Sequence, residues 1–504
     1  MSEDRMSDVR QVRRLLLKLL GAASASALLP GCGNSDGPLL PPSPGSNGVQ
    51  RVVIVGAGMA GLAAANALAN VGVTSIVLEA RDRIGGRLWT RDLGGSPIDL
   101  GGSWIHNPMG NPMTAFASSA GVGQTAVDPT QDLAQFTLYQ EESGLGSVDD
   151  VAAAFAHYDL FEAATPDLLN RLGPQASIRD AILQYVTDNS AALLPEQQRL
   201  ITHVLRFIQE TFDSGTWDSI SLDQHVNAPT ASYGGSAFGD FPDGGYVRLV
   251  HAMAADADIR LNHRVTRIAA TDRGVTVSVD TVVNGQTVPV SFDGSHVLVT
   301  LPLGVLKNAD VAFDPPLSEP KLSAISRVGF GHFEKVALRF DQPFWTGGTP
   351  PGSHFYFRSA STTEPTEFPF FLDLQKSLNL PVLVALTSGA FAQDFLTIPE
   401  SAIRARIMAI LREAYGNAIP EPTQVLISNW GSDEFTRGAY SYLPLGATAD
   451  DMDTLAEPHG QRVLFAGEAT YKQRFGYADG ALSSALREVN RLLGLTNAAV
   501  TPGP

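Results

Sequence analysis

Residues 51–87 decide the fold and read RVVIVGAGMAGLAAANALANVGVTSIVLEARDRIGGR. The β-branched run Val52–Val55 predicts a buried parallel strand, and the Ala- and Leu-rich run that ends at Gly72 predicts a helix. A second apolar strand ends at Glu79. This strand–helix–strand order predicts a βαβ unit and therefore a doubly wound α/β domain.

The turn between the first strand and the helix carries G-x-G-x-x-G at Gly56, Gly58 and Gly61. Glycines let the backbone approach a ligand, and the unpaired N–H groups of the helix N-terminus favour a pyrophosphate. Glu79, at the end of the second strand, is placed to accept hydrogen bonds from ribose hydroxyls. The pattern predicts a dinucleotide site, and by itself it fits NAD and FAD equally.

Composition limits the remaining possibilities. A chain of 504 residues is too long for one core, so we expect two or more domains. The net charge of -17 argues against a nucleic-acid partner, because phosphate binding needs clustered Lys and Arg. We predict no metal site.

The N-terminus resembles a twin-arginine export signal, with Arg13 and Arg14 followed by an apolar run, Leu19–Leu29, too short to span a bilayer. The chain's single cysteine, Cys32, ends LPGC, which resembles a lipoprotein lipobox, although Pro30 departs from that pattern. We expect export to a bacterial periplasm. Cys32 would be a possible lipid anchor at the periplasmic membrane face, and ordinary signal-peptidase cleavage is the alternative.

The residues after Glu79 distinguish the two cofactors. EARDRIGGR resembles a flavoprotein extension, and the resemblance implies Arg81, Gly86 and Arg87 near the adenosine and pyrophosphate of FAD. A guanidinium can make forked contacts to phosphate.

Three distant segments complete the resemblance. GGYVRLVHAMAADADIRLNHRVTRI, SHVLVTLPLGVLK and GQRVLFAGEATYKQRFGYADGALSSALREVNRLL are similar to segments of flavin-containing amine oxidases. That superfamily includes monoamine oxidases, polyamine oxidases and histone demethylases, and the motifs here are nearest to those of polyamine oxidases. It implies a Rossmann-like FAD-binding domain interleaved with an α+β substrate domain built from a mixed sheet and helices. The resemblance spans 51–493.

On this resemblance the chain divides into alternating segments. They are an export signal (1–32), a Gly/Pro/Ser-rich linker (33–50), FAD-binding segments (51–106, 243–306, 431–495), substrate-domain segments (107–242, 307–430) and a disordered tail (496–504).

The resemblance also assigns contacts to FAD. It implies that Val265 contacts the adenine through its backbone and that Glu468, after Gly467, binds the sugar-alcohol chain. The helix that begins near Tyr477 would face the flavin ring with its N-terminus. Further residues implied at the cofactor are Gly102, Ser103, Trp104 and Ala478. Ala439 stands where monoamine oxidases have a cysteine bonded to FAD, so we expect noncovalent FAD.

Four residues are implied in catalysis. Lys335 matches the family lysine that reaches flavin N5 through a water, and Tyr440 and Tyr477 match the two walls of an aromatic cage. His106, in GGSWIH, is expected to face the substrate. In the segment around Tyr440, Glu434 replaces the family's proline.

Three further residues are alternatives for these roles. Tyr442 is the second candidate for a cage wall, and Lys307 and Lys321 are predicted to be surface charges.

The reaction implied is oxidation of a C–N bond, with hydride transfer from the carbon next to an amine to flavin N5. Imine hydrolysis would give an aldehyde and an amine, and reoxidation by O2 would give hydrogen peroxide. A polyamine-like substrate is favoured. Nicotine-type and L-amino-acid oxidases, desaturase-like flavoproteins that act on C–C bonds and non-catalytic FAD proteins are the alternatives. The partners expected are a small amine and either O2 or a redox protein, with the oligomeric state open.

Overall fold

The computed structural model describes residues 49–126, 137–140, 144–146, 148–231, 233–235, 239–283, 285–345, 354–357 and 367–495. The predicted export signal, Cys32, nearly all of the predicted linker and the predicted tail lie outside these ranges.

A five-stranded parallel sheet carries the Gly-rich turn. Its strands, in spatial order, are Val463–Phe465, His296–Val299, Arg51–Val55, Thr74–Leu78 and Ile259–Arg260. Arg51–Val55 is buried on both faces except at its first residue, which explains its continuous apolar sequence. The strands come from all three segments predicted to bind FAD.

Both faces of this sheet are covered. The helix Met59–Asn70 packs against the last helix, Ala478–Leu493, on one face. On the other face, Val53 and Val55 pack in one cluster with strand His263–Thr271 and helix Glu319–Arg327. Helices on one face and further elements on the other define the doubly wound arrangement, so the predicted fold class is confirmed.

A second, mixed sheet has seven strands in the described part of the chain. In spatial order they are Gln424–Ile427, Phe333–Arg339, Val382–Ser388, Phe370–Asp373, His354–Phe357, Thr137–Gln140 and Gly144–Gly146. The pair His354–Phe357 and Thr137–Gln140 is parallel, and the other pairs are antiparallel. This sheet shares a hydrophobic cluster with the helices Val148–Leu172, Ile178–Asp188 and Pro195–Asp213.

The remaining elements complete the described part of the chain. The other helices are Pro112–Ser119, Leu222–Asn227, Val247–Met253, Leu303–Lys307, Leu374–Leu378, Gly389–Asp394, Glu400–Tyr415 and Ala449–Ala456, with 3-10 turns at Ser190–Ala192, Phe395–Thr397 and Glu468–Thr470. The other strands are Thr90–Asp92, Pro97–Asp99, Gln124–Ala126, Asp240–Pro242, Gly274–Val283, Gln286–Gly294, Ala312–Asp314, Gly329–Phe330 and Ser441–Tyr442. None of the helices in the described ranges is long and apolar enough to cross a membrane.

Three elements of the predicted substrate-domain segments pack with elements of the parallel-sheet core. Strand Ala312–Asp314 pairs with strand His263–Thr271, and helix Glu319–Arg327 packs in the same cluster. Helix Pro112–Ser119 packs beside the last helix through Met113. These contacts show the core in which each element packs, and the segment boundaries at 106 and 306 stay predictions.

Candidate functional site

A cavity lies between the parallel sheet and the mixed sheet. It has a volume of about 310 Å³, and its lining is mostly apolar. Glu79 and Val265 line one end of it, and Lys335, Tyr440 and Tyr477 line the other. It therefore joins the predicted dinucleotide site to the predicted catalytic residues.

The Gly-rich turn forms part of the wall. Gly56 has φ +104°, a conformation that L side chains rarely adopt. A Cβ on Gly61 would lie 1.9 Å from the carbonyl oxygen of Gly56, whereas a Cβ on Gly58 would meet nothing within 4 Å. Gly61 is thus needed for close helix–strand packing, and the space beside Gly58 is open to a ligand.

Glu79 is held at the end of its strand by two backbone N–H groups. Its Oε2 accepts from Ala57 at 2.7 Å, and its Oε1 accepts from Arg81 at 2.9 Å. Burial raises the pKa of Glu79, and these two hydrogen bonds oppose the rise. Each carboxylate oxygen keeps a second lone pair that can accept from a ribose hydroxyl.

The two predicted arginines differ in their partners. Arg81 pairs with Asp433 at 2.6 Å, and its guanidinium carbon lies 5.2 Å from the centre of the Phe435 ring. Arg87 donates to Glu468 at 2.9 Å and to the carbonyl oxygen of Ala439 at 2.8 Å. Both arginines line the cavity. Gly86 has φ +57° and lies beside Gly58: a Cβ built on Gly86 would lie 3.3 Å from the Cα of Gly58.

Glu468 joins the last helix to the rest of the site. Besides Arg87, it accepts from the backbone N–H of Gly476 at 2.8 Å and from the Ser441 hydroxyl. Gly467 (φ +133°) has open space where a Cβ would lie. The last helix begins at Ala478, which lines the cavity, so its unpaired N–H groups lie at the catalytic end.

Lys335 is buried, at 3% exposure, as the third residue of strand Phe333–Arg339. Its Nζ donates to the Gly101 carbonyl oxygen at 2.6 Å and to Ser103 Oγ at 2.5 Å. It also lies 4.7 Å from the centre of the Trp104 ring. A Cβ on Gly101 would lie 1.8 Å from the carbonyl oxygen of Arg87, so the double glycine lets this loop pack closely there while the Gly101 carbonyl accepts from the lysine.

Asp99 influences this lysine. Burial lowers the pKa of Lys335 to about 8, and the Asp99 carboxylate opposes the decrease. Burial raises the pKa of Asp99 to about 6, although the Thr90 hydroxyl and the backbone N–H of Tyr246 both donate to it. Near neutral pH, the site holds a cation and an anion that stabilise each other's charged form.

The two predicted cage tyrosines line the catalytic end. The Tyr440 hydroxyl donates to the carbonyl oxygen of Thr211, which fixes its ring. The Tyr477 ring lies edge-on to His106, with centroids 5.1 Å apart, and the Arg474 guanidinium lies 3.9 Å from its centre. Burial raises the pKa of Tyr440 well above 10, so its phenol is neutral.

The three residues considered as alternatives lie in different environments. Tyr442 does not line the cavity, because its ring packs over Gly215 and Gly329. Lys307 is exposed, in agreement with its prediction. The prediction for Lys321 was wrong: it is 3% exposed, and its Nζ donates to the carbonyls of Thr454 and Leu455 at the end of helix Ala449–Ala456.

Sequence reasoning missed the support behind Lys335. Glu334 is fully buried and accepts from the Ser428 hydroxyl and from the backbone N–H of Gly431. Ser428 in turn accepts from the backbone N–H of Lys335 at 2.7 Å, and Trp430 Nε1 donates to the Leu100 carbonyl oxygen. The sequence did carry a signal for this support: Glu334 stands next to Lys335 in a buried strand, and a buried carboxyl group needs hydrogen-bond partners.

The residues present fit a flavin dinucleotide. Arg81 Nη2 and Trp104 Nε1 are buried donors without a partner in the described part of the chain, one at each end of the cavity. Gly58, at the start of helix Met59–Asn70, and Gly467 both line the cavity and leave open space where a Cβ would lie. A long ligand with an anionic phosphate portion and a polar ring would satisfy these donors.

Known proteins resemble this chain in sequence and in fold. The family model of flavin-containing amine oxidoreductases matches residues 59–493. Lysine-specific histone demethylase 1 homolog 2 of Oryza sativa subsp. japonica is 32% identical over 465 residues, covering 90% of this chain and 59% of that protein. The probable polyamine oxidase 4 of Arabidopsis thaliana is 31% identical, covering 86% of this chain and 85% of that protein. A putrescine oxidase structure superimposes with a TM-score of 0.71 at 22% identity, over 88% of this chain and 99% of that one.

The fold and the site define an FAD-dependent oxidoreductase with a doubly wound cofactor domain. The chain belongs to the family of flavin-containing amine oxidoreductases, so the predicted family, enzyme class and cofactor are confirmed. The chain spans a little over half the length of the histone demethylase relatives that it matches.

Proposed function

We propose that this protein oxidises the C–N bond of a small amine, with noncovalent FAD as its cofactor. One observation carries the proposal: Lys335, Tyr440 and Tyr477 line the same end of a cavity whose other end fits a dinucleotide. FAD supplies the hydride acceptor when it is bound there. The residues of the chain must then bind the amine, orient it and exclude water.

The two tyrosines would orient the amine. Their rings are neutral because burial raises both pKa values above 10, so each presents a π-face without adding a charge. Such faces attract an amine nitrogen and pack against the carbon beside it. Thr211 holds one ring by its carbonyl, and Arg474 supports the other. His106 lies against Tyr477 and would contact the bound amine.

Lys335 would hold a positive charge and a proton at the other side of the site. Its two acceptors, Gly101 and Ser103, fix the position of Nζ. A fixed cation stabilises negative charge that develops during electron transfer without reorganisation at that moment. We propose O2 as the electron acceptor and hydrogen peroxide as the product, after hydrolysis of the imine to an aldehyde and an amine.

A diamine or polyamine is the substrate class that we favour. Near the tyrosines, Asp213 is half-buried, and burial raises its pKa to about 6, so it is ionised at neutral pH. Its charge contributes to the raised pKa of both Tyr440 and Tyr477. A carboxylate near the cage would attract a second, cationic nitrogen of the substrate. The relative named polyamine oxidase matches over most of its length, which supports the same class.

Anaerobic stopped-flow mixing tests the function. The purified holoenzyme is mixed with putrescine, spermidine, tyramine, lysine, nicotine or a methyl-lysine peptide, and the loss of flavin absorbance is followed. We expect rapid bleaching with at least one diamine or polyamine and slow bleaching with lysine. Bleaching only with nicotine or the peptide would refute the substrate class, and no bleaching with any amine would refute the proposed function.

Export is a separate proposal, supported by the arginine pair and Cys32. We propose that the folded holoenzyme is exported and acts at the periplasmic side. Fractionation of the native bacterium tests this, with a Cys32→Ser variant to test lipidation. We expect wild-type protein in the membrane fraction and the variant in the soluble periplasm. Wild-type protein confined to the cytoplasm would refute export.

A further inference from the structure

A second cavity adjoins the catalytic end of the first. It has a volume of about 220 Å³, and apolar side chains form most of its wall. Leu372, Leu386, Ser103, Trp104 and Lys335 line both cavities and so form the partition between them. Neither cage tyrosine lines the second cavity. Lys335 is therefore reached from two sides, of which only one contains the proposed amine site.

The second cavity leads from the surface to Lys335. Pro97 and Gly244, at its rim, are exposed, and Leu380 is half-buried. Farther in, Val384 is only 3% exposed, and Lys335, at the end, is equally buried. The lining residues thus go from exposed to buried along a single cavity, as in a channel, and we call this cavity the Leu380 channel.

Apart from Trp104 Nε1, which also lines the first cavity and which the cofactor would satisfy there, the polar side chains in the Leu380 channel already have partners. Asp99 accepts from Thr90 and from the backbone N–H of Tyr246, and Lys335 Nζ donates to Gly101 and Ser103. A buried water needs two to four polar partners, and cavities lined by Leu and Val stay dry. The middle of the channel therefore favours a small apolar molecule over water.

We propose that the Leu380 channel is the route by which dioxygen reaches Lys335 and the reduced cofactor. This inference rests on the proposed oxidase function, since it concerns the step that follows amine oxidation. In that step the two electrons held by the cofactor pass to O2, which takes up two protons and leaves as hydrogen peroxide. Because the channel bypasses the tyrosines, O2 can arrive while an amine or its product still occupies the cage.

The test narrows the channel at its half-buried leucine. Leu380→Trp should block the channel, whereas Leu380→Ala should leave it open. Leu426→Trp is the matched control, because Leu426 is also half-buried against the same hydrophobic cluster and lines neither cavity. Holoenzyme reduced with dithionite is mixed with oxygenated buffer, so that this measurement does not depend on any amine.

We expect Leu380→Trp to slow reoxidation by about tenfold, since close-packed interiors transmit small molecules poorly once a void is filled. The Ala variant and the control should reoxidise within about twofold of wild type, and anaerobic reduction by the best amine should be unchanged in all of them.

Crystals of the holoenzyme under xenon pressure give an independent measurement. Xenon should occupy the Leu380 channel of the wild type and be absent from that of Leu380→Trp. Equal reoxidation rates in Leu380→Trp and wild type, or ordered waters filling the channel in place of xenon, would overturn the proposal. Reoxidation of wild type only by a redox protein would overturn it as well. Failure of amine reduction alone would refute the proposed function and leave the oxygen measurement intact.

Discussion

The charge on Lys335 is predicted to control the rate at which the reduced enzyme reacts with O2. The substitution Lys335→Met keeps the length and much of the shape of the side chain while it removes the ammonium. In the wild type, burial lowers the pKa of Lys335 to about 8 from its ordinary value of 10.5, against the attraction of Asp99. That decrease corresponds to about 3 kcal/mol of destabilisation of the charged form.

The magnitude follows from this pKa. The lysine is mostly protonated at pH 7, and its protonated fraction decreases about tenfold between pH 7 and pH 9. If the cation stabilises the negative charge developing on O2, the rate constant for reoxidation should decrease by about the same factor over that interval. In Lys335→Met the rate should be low and nearly independent of pH.

The assay is stopped-flow reoxidation of dithionite-reduced enzyme across this pH range, with bound FAD quantified by absorbance after gel filtration. Lys321→Met is a matched control, because burial also lowers the pKa of Lys321 to about 8, and this lysine lies outside the cavity. The control should keep the wild-type pH profile. A Lys335→Met enzyme that retains FAD and shows the wild-type pH profile would refute the reasoning, and loss of FAD would show that the lysine holds the cofactor instead.

Three further predictions concern the site's architecture. Gly61→Ala places a methyl 1.9 Å from the Gly56 carbonyl oxygen, so we expect about 1–3 kcal/mol of destabilisation and a lower ratio of bound FAD to protein, measured by absorbance. An unchanged melting temperature and an unchanged FAD ratio would contradict this. Tyr440→Phe keeps the ring and loses one hydrogen bond, so it should cost about 1 kcal/mol of stability and leave the anaerobic rate of flavin reduction by the amine within about threefold of wild type. Tyr440→Ala also removes the ring and should slow that flavin reduction at least about tenfold. Glu468→Ala leaves the Arg87 guanidinium without its buried carboxylate, and we expect about 3–5 kcal/mol of destabilisation in denaturant; a loss below about 1 kcal/mol would show that water replaces the pair.

The sequence predicted the parts of the fold that depend on local pattern. The first strand begins one residue before the predicted Val52, the helix after it ends two residues before Gly72, and the last helix begins one residue after Tyr477. The signals of the first two are short in range: a β-branched run, glycines at fixed spacing and an Ala- and Leu-rich run, whereas the last helix was predicted from the family resemblance. The segment boundaries at 106 and 306 stay predictions, because they depend on which core the next apolar face reaches.

The candidate site divides in the same way. Lys335, Tyr440 and Tyr477 could be singled out because each stands in a motif, and the structure places all three on one cavity. Glu334 could not, since its function as a support depends on Ser428 and Gly431, which approach it only in the folded chain. The burial of Lys321 could not be predicted either, because nothing local distinguishes a lysine that caps distant carbonyls from one in solvent.

By itself, then, the sequence determined the cofactor domain, because glycine spacing and strand and helix patterns are local. Its resemblance to flavin-containing amine oxidases supplied the identity of the cofactor and the residue types at the reacting end. Only the tertiary structure decided the charge state of Lys335, the pairing of Arg87 with Glu468 and the existence of a second channel to the same lysine. The physical reason is that pKa values, buried pairs and cavities depend on which groups meet across hundreds of residues and on how completely water is removed from between them.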